Sequence, residues 1–444
     1  MPLPILDISR PADREAWTQR LSALRATATR DGEAARTVAE IVESVRQRGD
    51  EAVVEHMRRW TDPEFSAARI RVAPTEFDRA EAGLDPSLRR ALERSIANVR
   101  AYQTHIRPVD PEPLELAGAR VGLRFRPVDS VGLTVPGGVA VLVSTLVMLA
   151  VPAIVAGVAP ASVRVVNPPP TRRRGEPAGD ISPVVLAACR MLGIDTVYRI
   201  GGAQAVAALA YGTERVQPVA LIAGPGNVYG QLAKQLVSGA CGTDGGFYGP
   251  SEIVTVADAS ADPRCVAADP IAQAEHDPGK CFLVSWSRDV VDAVARELEG
   301  QLDKRGRIEA IERALEHESA ALIVRDEDEA AAVADEIAAE HVNLAVADPA
   351  AWLARLRHGG EFFLGDQTPV AAGDYYAGPS HCLPTGSTAR FASGISVHTF
   401  LKRSGTVEYT NGMPGIAIDT IAALAELEGL DAHAESVRVR RRIG

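Results

Sequence analysis

The sequence predicts an α/β protein with two Rossmann-like, incompletely doubly wound parallel-sheet domains and an arm at each end. From Val131 onward, short runs rich in Val, Ile and Leu alternate with helical stretches. That is the pattern of βαβ units, whose parallel sheets are covered on both faces. The alternation occurs twice, once up to Val237 and again from Ile253. A chain of 444 residues also exceeds what one hydrophobic core usually supports.

Taken in order, residues 1–30 read as an N-terminal arm. Apolar spacing predicts amphipathic helices over 34–60 and 86–106, and strands over 120–126 and 130–135. The stretch 139–158 is long enough for a spanning helix. Ser144, Thr145, Pro152 and Gly157 interrupt it. A proline inside a helix costs about 3 kcal/mol, so a helix buried against a sheet and then a turn is expected. Strands over 162–166, 196–200 and 219–223 alternate with helices over 182–192, 203–211 and Val228–Val237. The proline- and arginine-rich segment 167–179 reads as an exposed connection. A second set of strands is expected over 253–257, 281–286, 320–324, 343–346 and 361–364, with helices including 262–275 and 328–340. The end is read as an extended segment and a helix over 420–428 that add no sheet. These elements divide into a first α/β domain (31–133 and 250–395), a second (134–249) and a C-terminal arm (396–444).

Composition narrows the function. Aromatics are 5% of a chain that is 46% hydrophobic, so aliphatic side chains fill the interior. A formal charge of −11 argues against nucleic acid or an anionic membrane as partner. The basic runs 172–174 and 438–442 read as solvated surface. Five cysteines without a CxxC pair exclude a disulfide framework and fit a reducing cytoplasm. The polar start has no apolar core, so no signal peptide is expected.

Ligands of parallel sheets bind at Gly-rich turns beyond strand ends. Gly201-Gly202-Ala203-Gln204 and Gly224-Pro225-Gly226-Asn227 are two such turns. Neither is GxGxxG, and each alone is also an ordinary strand-to-helix turn. Gln204 and Asn227 add amides able to bond a ribose or nicotinamide. Gln273 and His276 share one helical face; an imidazole there is either a dipole partner or a ligand. With Asp374 and His433 they form a mixed N/O set that suits zinc with an open position, although spacing alone does not bring them together. Glu340-His341 is either a cap beside an exposed imidazole or an acid–base pair. A zinc hydrolase would leave both α/β units idle, and no HExxH occurs.

The motifs VGLTVPGG (131–138), GGAQAVAALAYG (201–212), GPGNVYGQLAK (224–234), GPSEIVTVAD (249–258), AQAEHDP (272–278), AEHV (339–342), GDYYAGPSHCLPT (373–385) and EGLDAH (428–433) resemble those of histidinol dehydrogenases, in the same order. The resemblance implies an NAD-dependent oxidation of L-histidinol to L-histidine by a cytoplasmic homodimer. It implies one zinc per subunit on Gln273, His276, Asp374 and His433, and a base pair Glu340 and His341. Ser251, Gln273, His276, His341, Asp374, His381, Glu428 and His433 fall at substrate positions, and Thr134, Gln204 and Asn227 at NAD positions. The C-terminal arm would then complete the neighbour's site. The first α/β domain would hold zinc, and the second NAD. A related dehydrogenase of another polar primary alcohol, such as a sulfonated diol, is the alternative.

The chain departs from the family at Thr134-Val135, where a Tyr usually precedes the PGG turn. Asp244 to Tyr248 replace a small apolar link, so Phe247 or Tyr248 would take over a stacking role. Val342-Asn343 replace a common Leu-Glu.

Overall fold

The computed structural model describes residues 3–26, 32–137, 141–176, 179–276, 279–302 and 305–441. The chain divides into a large unit, Met1–Ile106 with Asp129–Phe400, and a small one, Arg107–Val128 with Leu401–Gly444.

Two parallel sheets form the large unit. One contains β1 (Ile5–Asp7), β9 (Glu252–Ala257), β10 (Lys280–Ser285), β11 (Ala320–Ile323), β12 (His341–Ala345) and β13 (Glu361–Leu364), in the order β1-β11-β10-β9-β12-β13. The other contains β4 (Val131–Thr134), β5 (Val163–Val166), β6 (Val197–Tyr198), β7 (Leu221–Ala223) and β8 (Gly242–Thr243), in the order β6-β5-β4-β7-β8. The residues of β9, β10 and β12 are all buried, as in a parallel sheet covered on both faces. Two cores cover the faces of the six-stranded sheet. Val254, Phe282, Val342 and Leu344 pack in one, and Ile253, Cys281, Leu283 and Phe363 in the other. Each buried aliphatic side chain contributes about 1.5–3 kcal/mol.

Several expectations need correction. The expected arm at 1–30 supplies β1 and the helix Pro11–Ala26, whose Trp17, Leu21 and Leu24 are buried in the core. The predicted helix 34–60 is two helices, Glu33–Arg48 and Asp50–Trp60, broken where Gly49 takes φ 55°. Val38, Val45, Val53 and Met57 from this pair join the core of the five-stranded sheet, not that of the other domain. The helix predicted over 328–340 ends at Ile337. The helix Val143–Ala156 runs through Pro152. Proline supplies no N–H for the carbonyl four residues earlier. That carbonyl, of Met148, accepts instead from the Ser380 hydroxyl at 3.4 Å. Among the described residues no helix is long and apolar enough to cross a membrane.

In the small unit, β14 (Leu401–Glu408) pairs antiparallel with β3 (Ala119–Pro127), which pairs with β2 (Leu114–Leu116). The C-terminal segment therefore does add a sheet. Two helices follow, Gly415–Leu427 and Asp431–Arg441, joined through Ile418, Ala422, Ala425, Ala434 and Val437. Arg438 pairs with Glu426 at 2.6 Å, and Arg441 pairs with Asp419. Part of the basic run thus links the helices rather than only facing water. Arg442 lies outside the described residues.

Candidate active site

Parallel register places Ile253, His341 and Glu361 side by side at the amino ends of β9, β12 and β13. Ligand sites on such sheets usually lie at carboxyl ends. Here the amino edge of the six-stranded sheet meets the carboxyl edge of the five-stranded one. Ser144, Thr145, Pro225 and Tyr248 line one side of the resulting cavity, and His276, Glu340, Asp374 and His381 line the other.

His341 is 3% exposed, and neither ring nitrogen finds a hydrogen-bond partner among the described residues. Its Nδ1 lies 3.8 Å from Glu340 Oε2, and its Nε2 lies 3.8 Å from Asp374 Oδ1. Burial, then the neighbouring imidazoles of His381 and His276, lower its pKa to about 3. The ring is therefore neutral near pH 7. Glu340 Oε2 accepts from the Glu252 backbone N–H at 3.0 Å. Burial, reinforced by the Glu252 and Asp374 carboxylates, pushes the Glu340 carboxyl well above its usual range, against the bond from the Ser251 side chain. Burial likewise raises Asp374 to about 7.

His381 has both nitrogens engaged, Nε2 with Thr145 Oγ1 at 3.1 Å and Nδ1 with the Asp374 carbonyl at 3.0 Å. It orients the turn carrying Asp374. That residue lies on a short helix, Val370–Tyr375, not in a loop. Ser95 and Asn98, on the helix Pro86–His105, hold the carbonyls of Tyr375 and Tyr376. Gln273 is buried at the end of the helix Pro263–Ala274, and its Nε2 has no partner.

The metal set is brought together only in part. His276 and Asp374 share the cavity, while His433, like Glu428, belongs to the small unit and is exposed. Among the described residues no three His, Cys, Asp or Glu side chains group around a metal position. The donors nonetheless fit zinc by type: a carboxylate, an imidazole and an uncommitted buried carboxamide.

A second cavity lies over the carboxyl ends of β4, β5 and β7. Thr134, Gly137, Gly201, Gly202, Pro225 and Asn227 line it, and Pro225 is shared with the first cavity. A third, of about 490 Å³, continues from Asn227 past Gln204, Tyr229, Trp60 and Pro168 to Thr171. Three expected NAD residues therefore line one continuous surface. Two have partly committed side chains. The Thr134 hydroxyl donates to the Pro225 carbonyl at 2.9 Å, and Asn227 Oδ1 caps the following helix at Gly230 N, 3.1 Å. The Gln204 amide lies 3.5 Å from Met57 Sδ.

Sequence reasoning missed how the Gly224 turn is held. Gly224 has φ +122°, and a Cβ there would lie 2.5 Å from the Thr134 carbonyl oxygen. Its N–H donates to Asp244 Oδ2 and its carbonyl accepts from Lys234 Nζ, both at 2.8 Å. Lys234 and Asp244 are a buried ion pair, 2.8 Å apart. The Lys234 ammonium also lies 5.0 Å from the centre of the buried Tyr248 ring. Tyr248 thus packs on Lys234 while lining the first cavity, and Phe247 is buried. Replacing Lys234 by Met strands the Asp244 carboxylate, which should cost about 3–5 kcal/mol. A thermal melt reads this as a large fall in Tm; an unchanged Tm would remove the pair from the account of the turn.

The fold is of the α/β class with two parallel sheets, and the cleft over the five-stranded sheet adjoins a cavity lined by His276, Glu340, Asp374 and His381. The histidinol dehydrogenase family model matches residues 24–441, and the chain belongs to that family. It is 44% identical over 405 residues to the histidinol dehydrogenase of Heliobacterium mobile, covering 91% of this chain and 92% of that one. It is 42% identical over 436 residues to that of Cereibacter sphaeroides, covering 98% of each. The crystal structure of histidinol dehydrogenase from Elizabethkingia anophelis superposes with a TM-score of 0.85 at 28% identity, over 93% of both chains.

Proposed function

We propose that the protein oxidises L-histidinol to L-histidine through bound L-histidinaldehyde, the closing steps of histidine biosynthesis, reducing two NAD per substrate. The observation that carries this reading is the placing of the neutral His341 ring 3.8 Å from both Glu340 and Asp374, two residues that line a cavity sharing Pro225 with the cleft over the five-stranded sheet. That junction is where an alcohol carbon would meet the nicotinamide.

The chain's residues divide the work. His341 takes the hydroxyl proton as the carbinol carbon gives a hydride to the first NAD. Glu340 then takes a proton from water as the oxygen adds to the aldehyde carbon. The hydrate loses its second hydride to a second NAD, leaving the carboxylate. A carboxyl held above its usual range is a stronger base than an ordinary glutamate. The enclosed cavity keeps the aldehyde in place between steps.

Gln273, His276 and Asp374 would hold zinc together with the partner subunit's His433. A zinc ion bound there supplies a fixed Lewis-acidic centre for the substrate's nitrogen donors. Ser251 and His381, with the partner subunit's Glu428, would contact substrate, in a homodimer that exchanges C-terminal arms. Thr134, Gln204 and Asn227 would contact NAD. All five cysteines are free, which supports a cytoplasmic setting.

NADH formation with L-histidinol, compared with a panel of small diols including sulfonated ones, tests the reading. Turnover of histidinol with little activity on the diols is expected. The reverse preference would overturn the substrate assignment.

A further inference from the structure

Most described residues of the segment 167–179 are exposed, as its composition implies, but one arginine within it is not simply solvated. Arg172 is buried, with 7% of its side chain exposed. Its Nε donates to Asp62 Oδ1 at 2.5 Å, and one terminal nitrogen donates to Glu64 Oε2 at 2.7 Å. The other terminal nitrogen donates to the Glu176 carbonyl. Its backbone N–H donates to the Thr61 carbonyl at 2.9 Å. Asp62 has 1% of its side chain exposed and also accepts from Arg69. Arg69 in turn donates to the Gly179 carbonyl at 2.9 Å. The middle of the segment, at Arg172, and its end, at Gly179, are thus fastened to the buried Asp62 carboxylate just after the helix Asp50–Trp60.

These ties lie directly behind the third cavity. Trp60 and Thr61 form one of its walls, and Pro168 to Thr171 form another. The residues that follow the two walls, Asp62 and Arg172, are the ones bonded together. Each guanidinium nitrogen donates one hydrogen bond within the protein. A fork bonded in a fixed plane sets distance and angle more tightly than a lysine would.

We propose that Asp62 and Arg172 are positioning residues that fix the spacing between the Trp60 and Pro168–Pro170 walls, and so set the affinity for the non-reacting half of NAD. The inference rests on the coenzyme reading above. The reacting end must lie at Pro225, on the cavity that Glu340 and Asp374 line, so the rest of the dinucleotide extends toward Asn227 and the third cavity. Loosening the walls releases that half without moving the hydride-transfer geometry. It raises the KM for NAD and leaves kcat alone, which is the signature of lost uniform binding.

The test compares the full-length zinc enzyme with Arg172→Ala and Arg172→Lys. Asp62 keeps Arg69 as a partner in both variants, so no buried carboxylate is stranded. Steady-state kinetics and calorimetric titration with NAD and with ADP-ribose are the readouts. Arg172→Ala is expected to raise the KM for NAD and the Kd for ADP-ribose about tenfold, with kcat, the KM for histidinol and zinc content unchanged. Arg172→Lys is expected to recover part of the loss. An unchanged KM for NAD, or an equal fall in kcat, would overturn the proposal. Should Arg172→Ala fail to fold, the lysine variant decides by the same criterion. A wild-type enzyme that binds no NAD would defeat the coenzyme reading instead, so the two failures are distinguishable.

Discussion

Replacing His341 by Asn is expected to lower kcat by about 10²–10⁴-fold, with zinc content and the KM for NAD unchanged. The side chain is buried at the start of a central strand, neutral, and 3.8 Å from a carboxylate on each side. Asparagine fits the space and keeps a polar group, but it has no ring nitrogen to receive the hydroxyl proton as the hydride leaves. The loss should therefore fall on the chemical step. Pre-steady-state NADH formation separates the steps: the first hydride should slow as much as overall turnover. A variant that retains wild-type turnover would remove the assigned base.

The second large effect is expected at Asp374. Asp374→Ala should lower zinc affinity by at least tenfold and abolish turnover at low zinc, with partial recovery at high zinc. Equilibrium dialysis against a competing chelator measures the affinity. The argument is the donor set. Asp374 is the carboxylate that lines the cavity beside His276, and His381 bonds the Asp374 carbonyl. Removing a positioning partner of a ligand typically costs 10–100-fold in metal affinity, and removing a ligand should cost no less. Unchanged zinc affinity would detach Asp374 from the metal.

Much of this was legible in the sequence, because strand–helix alternation and apolar runs are local signals. Strands such as β13 and the helix Val228–Val237 fall where periodicity places them. Glu340 and His341 could be singled out as an adjacent acid and imidazole. What could not be read is what depends on distant partners. A three-residue β1 becomes a strand only because Ile5–Asp7 pairs with Ala321–Ile323, more than three hundred residues away. Pro152 breaks a helix in isolation, yet Ser380 answers the carbonyl it leaves. Arg172 looks solvated until Asp62, 110 residues earlier, buries it. The role of Asp244 was hidden for the same reason: a lone acid in a Gly-rich link gives no sign of the lysine ten residues before it.

The amino-end position of His341 has the same origin. Strand order and the meeting of two sheet edges, not the local pattern of the 340–341 segment, bring Glu340 into one cavity with Pro225. The sequence marked both segments as chemically rich but carried no measure of the distance between them.

The most direct measurement of the central claim is the number of NADH formed per L-histidinol, before and after metal chelation. The account predicts two NADH per substrate, loss of turnover on removal of the metal, and its return when zinc is added. Full turnover by the metal-free protein, or one NADH per substrate with free aldehyde released, would contradict it.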